Sequence, residues 1–194
     1  MLKIIKHIFL LLSIFLVMSC DSSSQSKNNS KNIINVRVFS SLTCPHCADF
    51  HVKVYEKLEK EYINIGRVKF EHVSFPLDLA ALNAEKILQC DGNSKTNFKF
   101  LTEIYQKQNK WAAGSDINTI NDSIKSIGKK FSLTEESMNK CLNDKNLEEK
   151  ILNERIEAQK NYKISSTPTI YINEKKYEGK RDYQSFKKSI EKIL

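Results

Sequence analysis

The sequence alternates between short runs rich in β-branched residues and longer segments in which apolar residues recur at helical spacing. Residues 33–39 (IINVRVF) and 66–75 are predicted to be strands, and Pro76 ends the second. Between them, residues 48–62 place apolar side chains three or four positions apart, which predicts a helix. The folded part of the chain therefore begins with the order strand, helix, strand.

Residues 77 to about 145 are predicted to be helical, because no segment there has the alternation of a strand. Ser132 and Glu135 have the spacing of a capping box, so a helix is expected to begin beside Ser132. One of the predicted helices carries a clear apolar stripe, formed by Ile117, Ile120, Ile124 and Ile127. This block is expected to be an inserted helical subdomain, and a further helix is predicted over residues 147–162.

The C-terminal part predicts a strand at residues 169–172, a polar turn at residues 173–175, a short strand around Tyr177 and a final amphipathic helix. That helix is marked by one apolar face, formed by Tyr183, Phe186, Ile190 and Ile193. With 40% hydrophobic residues, the chain can bury one sizeable core. We therefore expect one α/β domain over residues 33–194.

Residues 1–19 are expected to be an export signal. Lys3 and Lys6 precede an apolar stretch over residues 8–18, which is too short to span a bilayer comfortably. The sequence LVMSC, ending at Cys20, resembles a bacterial lipobox, so Cys20 is the expected lipidation site. The alternative is an ordinary signal peptide with an incidental cysteine.

Residues 20–32 contain hardly any apolar side chains and are expected to form a flexible tether. Asp21 resembles the signal that keeps some bacterial lipoproteins at the inner membrane.

The net charge of +8 is spread over scattered lysines without an arginine-rich tract. This distribution argues against a nucleic-acid partner, although a weak attraction to anionic lipid headgroups is compatible with it.

In an oxidising compartment, the four cysteines other than Cys20 could form disulfides. Four cysteines allow three pairings. Cys44 and Cys47 are separated by two residues at a predicted helix start. The helix dipole and the unpaired N–H groups would stabilise the Cys44 thiolate there, which makes the pair a candidate redox centre. His46 adds donor capacity beside Cys44, and Pro45 suits the first helical turn. The other two cysteines are Cys90 and Cys141.

A zinc site is the main alternative for a pair of this spacing. The usual second pair of ligands is missing, and no metal site is expected. His51 and His72 are interpreted as surface or packing histidines. A purely structural Cys44–Cys47 disulfide is disfavoured, because so short a loop contributes little chain-entropy stabilisation.

The segment FSSLTCPHC at residues 39–47, the segment TPTI at residues 167–170 and the helical block between them resemble DsbA-like periplasmic thiol–disulfide oxidoreductases of the α-proteobacterial type. The resemblance covers residues 33–194. It implies a thioredoxin fold with a helical insertion, and a cis peptide bond between Thr167 and Pro168 beside Cys44. The redox-active disulfide would then be the only cofactor.

The resemblance also implies partners and a location. Substrates would be exported polypeptides with free thiols, and a DsbB-like membrane quinone reductase would reoxidise the enzyme. We expect a monomer in the periplasm, anchored to the inner membrane by lipid. A disulfide isomerase or reductase on the same fold is one alternative. A metal-binding lipoprotein that uses Cys44 and Cys47 with His46 or His51 is the other.

Cys90 and Cys141 resemble the second cysteine pair of the same subgroup, which implies a structural disulfide, whereas two buried reduced thiols are the alternative. Such a bond would close a loop of about 50 residues, worth about 4 kcal/mol in the chain-entropy model.

The chain departs from its relatives six residues before the first cysteine. The relatives commonly carry a buried acid there, whereas this chain has Val38, with Arg37 beside it. Proton exchange with Cys47 is therefore expected to use water or another group.

Overall fold

The computed structural model describes residues 33–92 and 94–194. The predicted signal, the lipidation site Cys20 and the tether at residues 20–32 lie outside the described residues. In the part of the chain that is described, no helix combines the length and the apolar character needed to cross a bilayer.

A four-stranded sheet, with the spatial order β2-β1-β3-β4, forms the centre of the domain. Its strands are β1 (Ile34–Ser40), β2 (Val68–Ser74), β3 (Thr169–Ile172) and β4 (Lys175–Lys176). β1 pairs in parallel with β2, while β3 pairs antiparallel with both β1 and β4. Parallel pairing needs a long crossover connection, and the helix predicted after β1 supplies it.

Helix α1 (residues 45–63) begins directly after Cys44, which is its N-cap residue in an extended conformation. Its first segment is the α-helix Pro45–Phe50. Two π-helical segments follow, His51–Tyr55 and Glu59–Ile63, with a short α-helical segment between them. π-turns are frequent at functional sites, and the first of these two segments lies one turn after the cysteine pair.

A block of helices separates β2 from β3, as the sequence predicts. Its members are α2 (Leu79–Leu88), α3 (Ser94–Gln106), α4 (Gln108–Trp111), α5 (Ile117–Gly128) and α6 (Glu135–Asn143). The long helix α7 (Lys145–Tyr162) leads back to the sheet, and α8 (Tyr183–Glu191) closes the chain. The expected α/β class, a thioredoxin fold with inserted helices, is confirmed.

The capping box predicted at Ser132 is wrong. Ser132 has a left-handed conformation, with φ of 65°, and ends the 3-10 turn Lys129–Phe131. The N-cap of α6 is Thr134, whose hydroxyl accepts a hydrogen bond from the backbone N–H of Ser137. A residue in the left-handed region cannot adopt the extended backbone of an N-cap, so the helix begins two residues later.

Two apolar clusters form most of the interior. The sheet core packs the sheet against α1 and α8, and contains Ile34, Val36, Val38, Phe50, Val54, Leu58, Tyr62, Val68, Ile170, Ile172, Tyr183, Phe186 and Ile190. The insert core lies among the inserted helices, and contains Leu42, Cys44, Cys47, Ala84, Ile87, Leu88, Phe100, Leu101, Ile104, Tyr105, Trp111, Ile120, Ile124, Ile127 and Met138. Both cysteines of the C-P-H-C sequence therefore belong to the core built by the insert.

Two long-range links fasten α2 to the helices that follow it. Cys90, just after α2, forms a disulfide with Cys141 of α6, across 51 residues of sequence. Lys86 of α2 is buried and its ammonium group donates to the carboxylate of Glu148 at 2.9 Å, near the start of α7. A buried charge needs such a partner, since an unpaired ammonium in this position would be strongly destabilising.

Removal of the Cys90–Cys141 disulfide tests its structural contribution. We expect the variant Cys90→Ala/Cys141→Ala to lose about 2–4 kcal/mol of unfolding free energy, because the unfolded chain regains the entropy of an open loop. Urea denaturation with the Cys44–Cys47 pair oxidised in both proteins measures the difference. An unchanged midpoint and slope would show that the bond contributes nothing to stability.

Candidate active site

The two cysteines lie at the junction of β1, α1 and the insert core. The backbone N–H of Cys44 donates to the carbonyl of Ser41 at 3.1 Å, and the carbonyl of Cys44 accepts from the N–H groups of Cys47 and Ala48. Cys44 keeps 7% of its surface exposed and Cys47 keeps 2%, so Cys44 is the more accessible sulfur. Both are present as free thiols in this structure.

The surroundings of Cys44 favour its thiolate. The thiol of Cys47 and the backbone N–H groups of Cys47 and His46 donate towards its sulfur, and the neighbouring Thr167 also favours the thiolate. Together they outweigh the effect of burial and lower the pKa of Cys44 from 9.0 to about 5. The thiolate is therefore the main form of Cys44 at neutral pH, and it is the form that attacks disulfides.

The surroundings of Cys47 have the opposite effect. Burial, followed by the hydrogen bond and the negative charge of Cys44, raises the pKa of Cys47 far above its ordinary value. Cys47 is thus a protonated thiol beside a thiolate. Two interacting thiols that share one proton in this way have separate tasks, one as nucleophile and one as donor.

The segment at Thr167 and Pro168 closes over Cys44 from the side of β3. The Thr167–Pro168 peptide bond is cis. The Cys44 Sγ atom lies 3.4 Å from the carbonyl oxygen of Thr167. Thr169, at the start of β3, pairs with Phe39 of β1, and this register brings the segment to the cysteines. The structure therefore places Thr167, Pro168 and Cys44 together.

Pro45 and His46 are both exposed at the start of α1. Pro45 occupies the first helical turn, where its missing N–H group has no intrahelical partner to lose. His46 reaches Cys44 through its backbone N–H, whereas its imidazole ring lies at the surface. The ring is available to a bound polypeptide, and its influence on Cys44 stays a prediction.

Two residues that sequence analysis missed hold the loop before Cys44. The buried side-chain amide of Gln108 donates to the carbonyl oxygens of Leu42 at 2.7 Å and of Cys44 at 3.0 Å. Asp78 accepts a hydrogen bond from the Thr43 hydroxyl at 2.7 Å and also caps α2. An aspartate before an apolar helical run is a recognisable N-cap, but no sequence signal marks Gln108.

The other histidines have local partners. His51 is buried and stacked on Tyr55, and its Nε2 lies 2.8 Å from the hydroxyl of Thr102. Burial, with a smaller contribution from His72, lowers the pKa of His51 to about 3. His51 is therefore a neutral packing residue. Over residues 33–92 and 94–194, no three His, Cys, Asp or Glu side chains are placed to hold a metal ion.

Val38 is buried in the sheet core and pairs with His72 across the sheet. Arg37 points to the other face of β1, where its guanidinium donates to Glu71 at 2.8 Å. Neither residue brings a carboxylate to Cys47. The position where relatives commonly carry a buried acid is therefore apolar in this chain.

Comparison with known proteins places this geometry in a family. A family model described as Thioredoxin matches residues 28–192. A Bacillus cereus protein named as a disulfide bond formation protein D is 31% identical over 180 residues, which cover 89% of this chain and 80% of the relative. A Rickettsia typhi protein named as a protein-disulfide oxidoreductase is 29% identical over 75% of this chain, but the match spans only about half of the relative's length, 53%.

A solved structure gives the same result. The crystal structure of alpha-DsbA1 from Wolbachia pipientis superposes with a TM-score of 0.76 at 26% sequence identity, over 83% of this chain and 85% of that one. Because the superposition covers 83% of this chain, it includes both the sheet and the inserted helices. The chain belongs to the thioredoxin family and, within it, to the DsbA-like proteins.

Proposed function

We propose that this protein is a thiol–disulfide oxidoreductase that introduces disulfides into exported polypeptides through Cys44 and Cys47. The unequal protonation of the two sulfurs supports this proposal most directly. A buried thiol beside a stabilised thiolate is the reduced half of a redox pair, and the Thr167–Pro168 segment next to it offers a polypeptide edge to a substrate. The names of the relatives point to the same chemistry.

The reaction begins with the Cys44–Cys47 disulfide. A substrate thiolate attacks the Cys44 sulfur, the bond between the two cysteines breaks, and Cys47 leaves with the electron pair and gains a proton. A second substrate thiolate then attacks the substrate sulfur of the mixed disulfide, and Cys44 leaves as a thiolate. The substrate loses two electrons and gains a disulfide, while the enzyme is reduced to the dithiol state.

The stabilised Cys44 thiolate favours oxidation over reduction as the net direction. It exists only in the reduced enzyme, so each contact that stabilises it weakens the disulfide relative to the dithiol. Isomerase or reductase activity on the same fold is the second candidate, and the reduction potential separates the two.

The remaining parts of the proposal rest on the sequence. The signal at residues 1–19 and Cys20 support export to the periplasm and a lipid anchor at the inner membrane. Reduced enzyme needs an acceptor for two electrons, and a DsbB-like membrane quinone reductase meets that need. A membrane anchor would hold the enzyme close to such a partner. The protein is proposed to act as a monomer.

Titration of the reduced enzyme tests the state of Cys44. The ultraviolet absorbance of the thiolate should disappear on acidification with a midpoint near pH 5, because the pKa of Cys44 is lowered to about 5 from 9.0. The thiolate stabilises the folded reduced form fully above the unfolded pKa of 9.0, and this contribution is lost as the pH falls through 5. The oxidised form lacks this contribution. The stability of the reduced form relative to the oxidised form should therefore increase as the pH is raised from 5 to 9.

The variant Cys44→Ala is the control for this titration, since it should show no thiolate signal at acidic pH. A midpoint close to that of a free cysteine in the unchanged protein would contradict the assignment of the nucleophile.

Single cysteine variants test the division of labour. Cys47→Ala keeps the reactive thiolate of Cys44 but lacks the internal thiol that expels a bound substrate, so covalent complexes through Cys44 should accumulate. Cys44→Ala should trap none, because Cys47 is buried and protonated. Non-reducing electrophoresis and peptide mapping of the complexes measure both outcomes. Equal trapping by the two variants would mean that the roles are misassigned.

The equilibrium of the Cys44–Cys47 couple with glutathione tests the direction of electron flow. We expect a reduction potential less negative than about −200 mV, since about −120 mV is typical of DsbA and about −270 mV of thioredoxin. The Cys90→Ala/Cys141→Ala background confines the measurement to the active pair. A potential close to that of thioredoxin would replace the oxidase assignment with a reductase.

A further inference from the structure

Two carbonyl oxygens beside the redox pair point at one side chain of the insert. The carbonyl oxygen of Leu42 lies 2.7 Å from the side-chain nitrogen of Gln108, and the carbonyl oxygen of Cys44 lies 3.0 Å from the same atom. A carbonyl group cannot donate, so the atom that both oxygens face must be the amide nitrogen. Each oxygen receives one of its two hydrogens. Both donors of Gln108 are therefore directed at the backbone that carries Cys44.

The packing of the insert fixes the position of Gln108. It is the first residue of α4 and is buried, with 9% of its surface exposed. Its carbonyl oxygen accepts a hydrogen bond from the N–H group of Ala112 at 2.9 Å. Trp111 of the same helix is buried, and its indole N–H donates to the carbonyl of Ile104. The amide is thus held by packed residues of the insert.

The carbonyl oxygen of Cys44 has more donors than a helix start requires. It already accepts hydrogen bonds from the N–H groups of Cys47 at 3.0 Å and of Ala48 at 3.2 Å. A carbonyl oxygen has two lone pairs, so these two bonds would satisfy it without Gln108. The third donor must therefore have another effect than satisfying this oxygen.

The N–H group of Cys47 faces two acceptors. It donates to the carbonyl oxygen of Cys44, and it also donates towards the Cys44 sulfur, where it favours the thiolate. One N–H group shared between two acceptors binds each of them less strongly than it would bind one alone. The additional donor from Gln108 lessens the demand of the carbonyl oxygen. More of the Cys47 N–H group is then available to the sulfur.

The partial charges act in the same direction. The carbonyl oxygens of Leu42 and Cys44 are partly negative, and one of them belongs to the same residue as the sulfur. They disfavour a thiolate but have little effect on the neutral sulfur of the disulfide, and such effects are strong in a buried site. The two N–H groups of Gln108 offset this partial charge. They therefore stabilise the reduced enzyme more than the oxidised enzyme.

We propose that Gln108 is a positioning residue through which the insert sets the reduction potential of the Cys44–Cys47 pair. It touches neither sulfur and acts through the two carbonyl oxygens that it holds. The inference rests on the proposed function, and it identifies the side chain of the insert that makes the pair more oxidising.

The equilibrium of the full protein with glutathione measures this effect. Two glutathione thiols supply two electrons to the Cys44–Cys47 disulfide and become glutathione disulfide. The enzyme then holds Cys44 as a thiolate and Cys47 as a thiol, and one of the two protons is released. Acid quenching, alkylation, digestion and mass measurement of the peptide with both cysteines give the ratio of dithiol to disulfide.

Gln108→Met removes both donors and keeps the length of the side chain. We expect the equilibrium constant for reduction by glutathione to fall by about 10-fold, because the reduced enzyme loses more stabilisation than the oxidised one. This change corresponds to a potential that is about 30 mV more negative. The midpoint of the Cys44 thiolate titration should rise by about one pH unit, since the same loss of thiolate stability determines both measurements.

A purely structural role of Gln108 predicts a different result. The variant removes a donor from the buried carbonyl oxygen of Leu42, so both redox forms should unfold more readily. An equal loss in the two forms would cancel from the glutathione equilibrium, and the potential would stay unchanged. Urea denaturation of the oxidised and the reduced protein measures the two losses separately.

Gln108→Glu provides the test if the methionine variant does not fold. A glutamate keeps the shape of the side chain, but it has at most one hydrogen to donate, and none when it is ionised. The potential should again become more negative. A less negative potential in either variant would contradict the proposed effect of the amide.

Gln106→Met is the matched control. Gln106 lies at the end of α3, and its amide donates to Glu56 of α1 at 2.7 Å. This exposed contact also joins the insert to α1, but it reaches the helix nine residues beyond Cys47. The same amide is removed, so any general effect of the substitution appears here as well. The glutathione equilibrium constant of this variant should stay within about twofold of the unchanged protein.

The outcomes separate the inference from the proposed function. If Gln108→Met also stays within about twofold, or if Gln106→Met shifts the equilibrium as much, the role assigned to Gln108 is wrong and the proposed function stands. If the unchanged protein itself has the potential of a thioredoxin, the oxidase function falls. The comparison among the variants then still decides whether Gln108 tunes the pair.

Discussion

The first turn of α1 leaves backbone N–H groups without partners inside the helix, and Cys44 is placed where those groups point. Much of the site follows from this constraint. The negative charge that the helix start favours can form on only one of the two sulfurs, since Cys47 lies one turn deeper in an apolar environment. The thiol of Cys47 and the N–H groups of the helix start together lower the pKa of Cys44, while the same helix buries Cys47.

The inserted helices complete this arrangement from the other side. Gln108 donates to the carbonyl oxygen of Leu42, and it gives the carbonyl oxygen of Cys44 a further donor beside the N–H groups of α1. The insert core packs around both cysteines and leaves Cys47 only 2% exposed. The insert is therefore part of the active site as well as a cover for the sheet, because the polarity around Cys47 depends on how well its helices pack.

The parts of the site that the sequence predicts are local ones. C-P-H-C after a β-branched strand and T-P-T before another strand are short patterns, and both lie where they were expected. Glu85 and Lys86 show why the rest could not be predicted. Adjacent charges in a helical run are typical of a solvated face, yet these two are 0% and 1% exposed, and their partners lie 11 or more residues away in the chain. Long-range pairing of this kind leaves no periodic pattern, and Gln108 escapes prediction for the same reason.

Trp111 is the only tryptophan of the chain, and it lies in the insert core with both cysteines, where its indole N–H donates to the carbonyl of Ile104 at 2.8 Å. A single indole at a fixed position is a built-in fluorophore. Thiolates and disulfides quench indole emission to different extents, and no second tryptophan dilutes the signal. The emission of Trp111 is therefore expected to report the oxidation state of the cysteines without an added label.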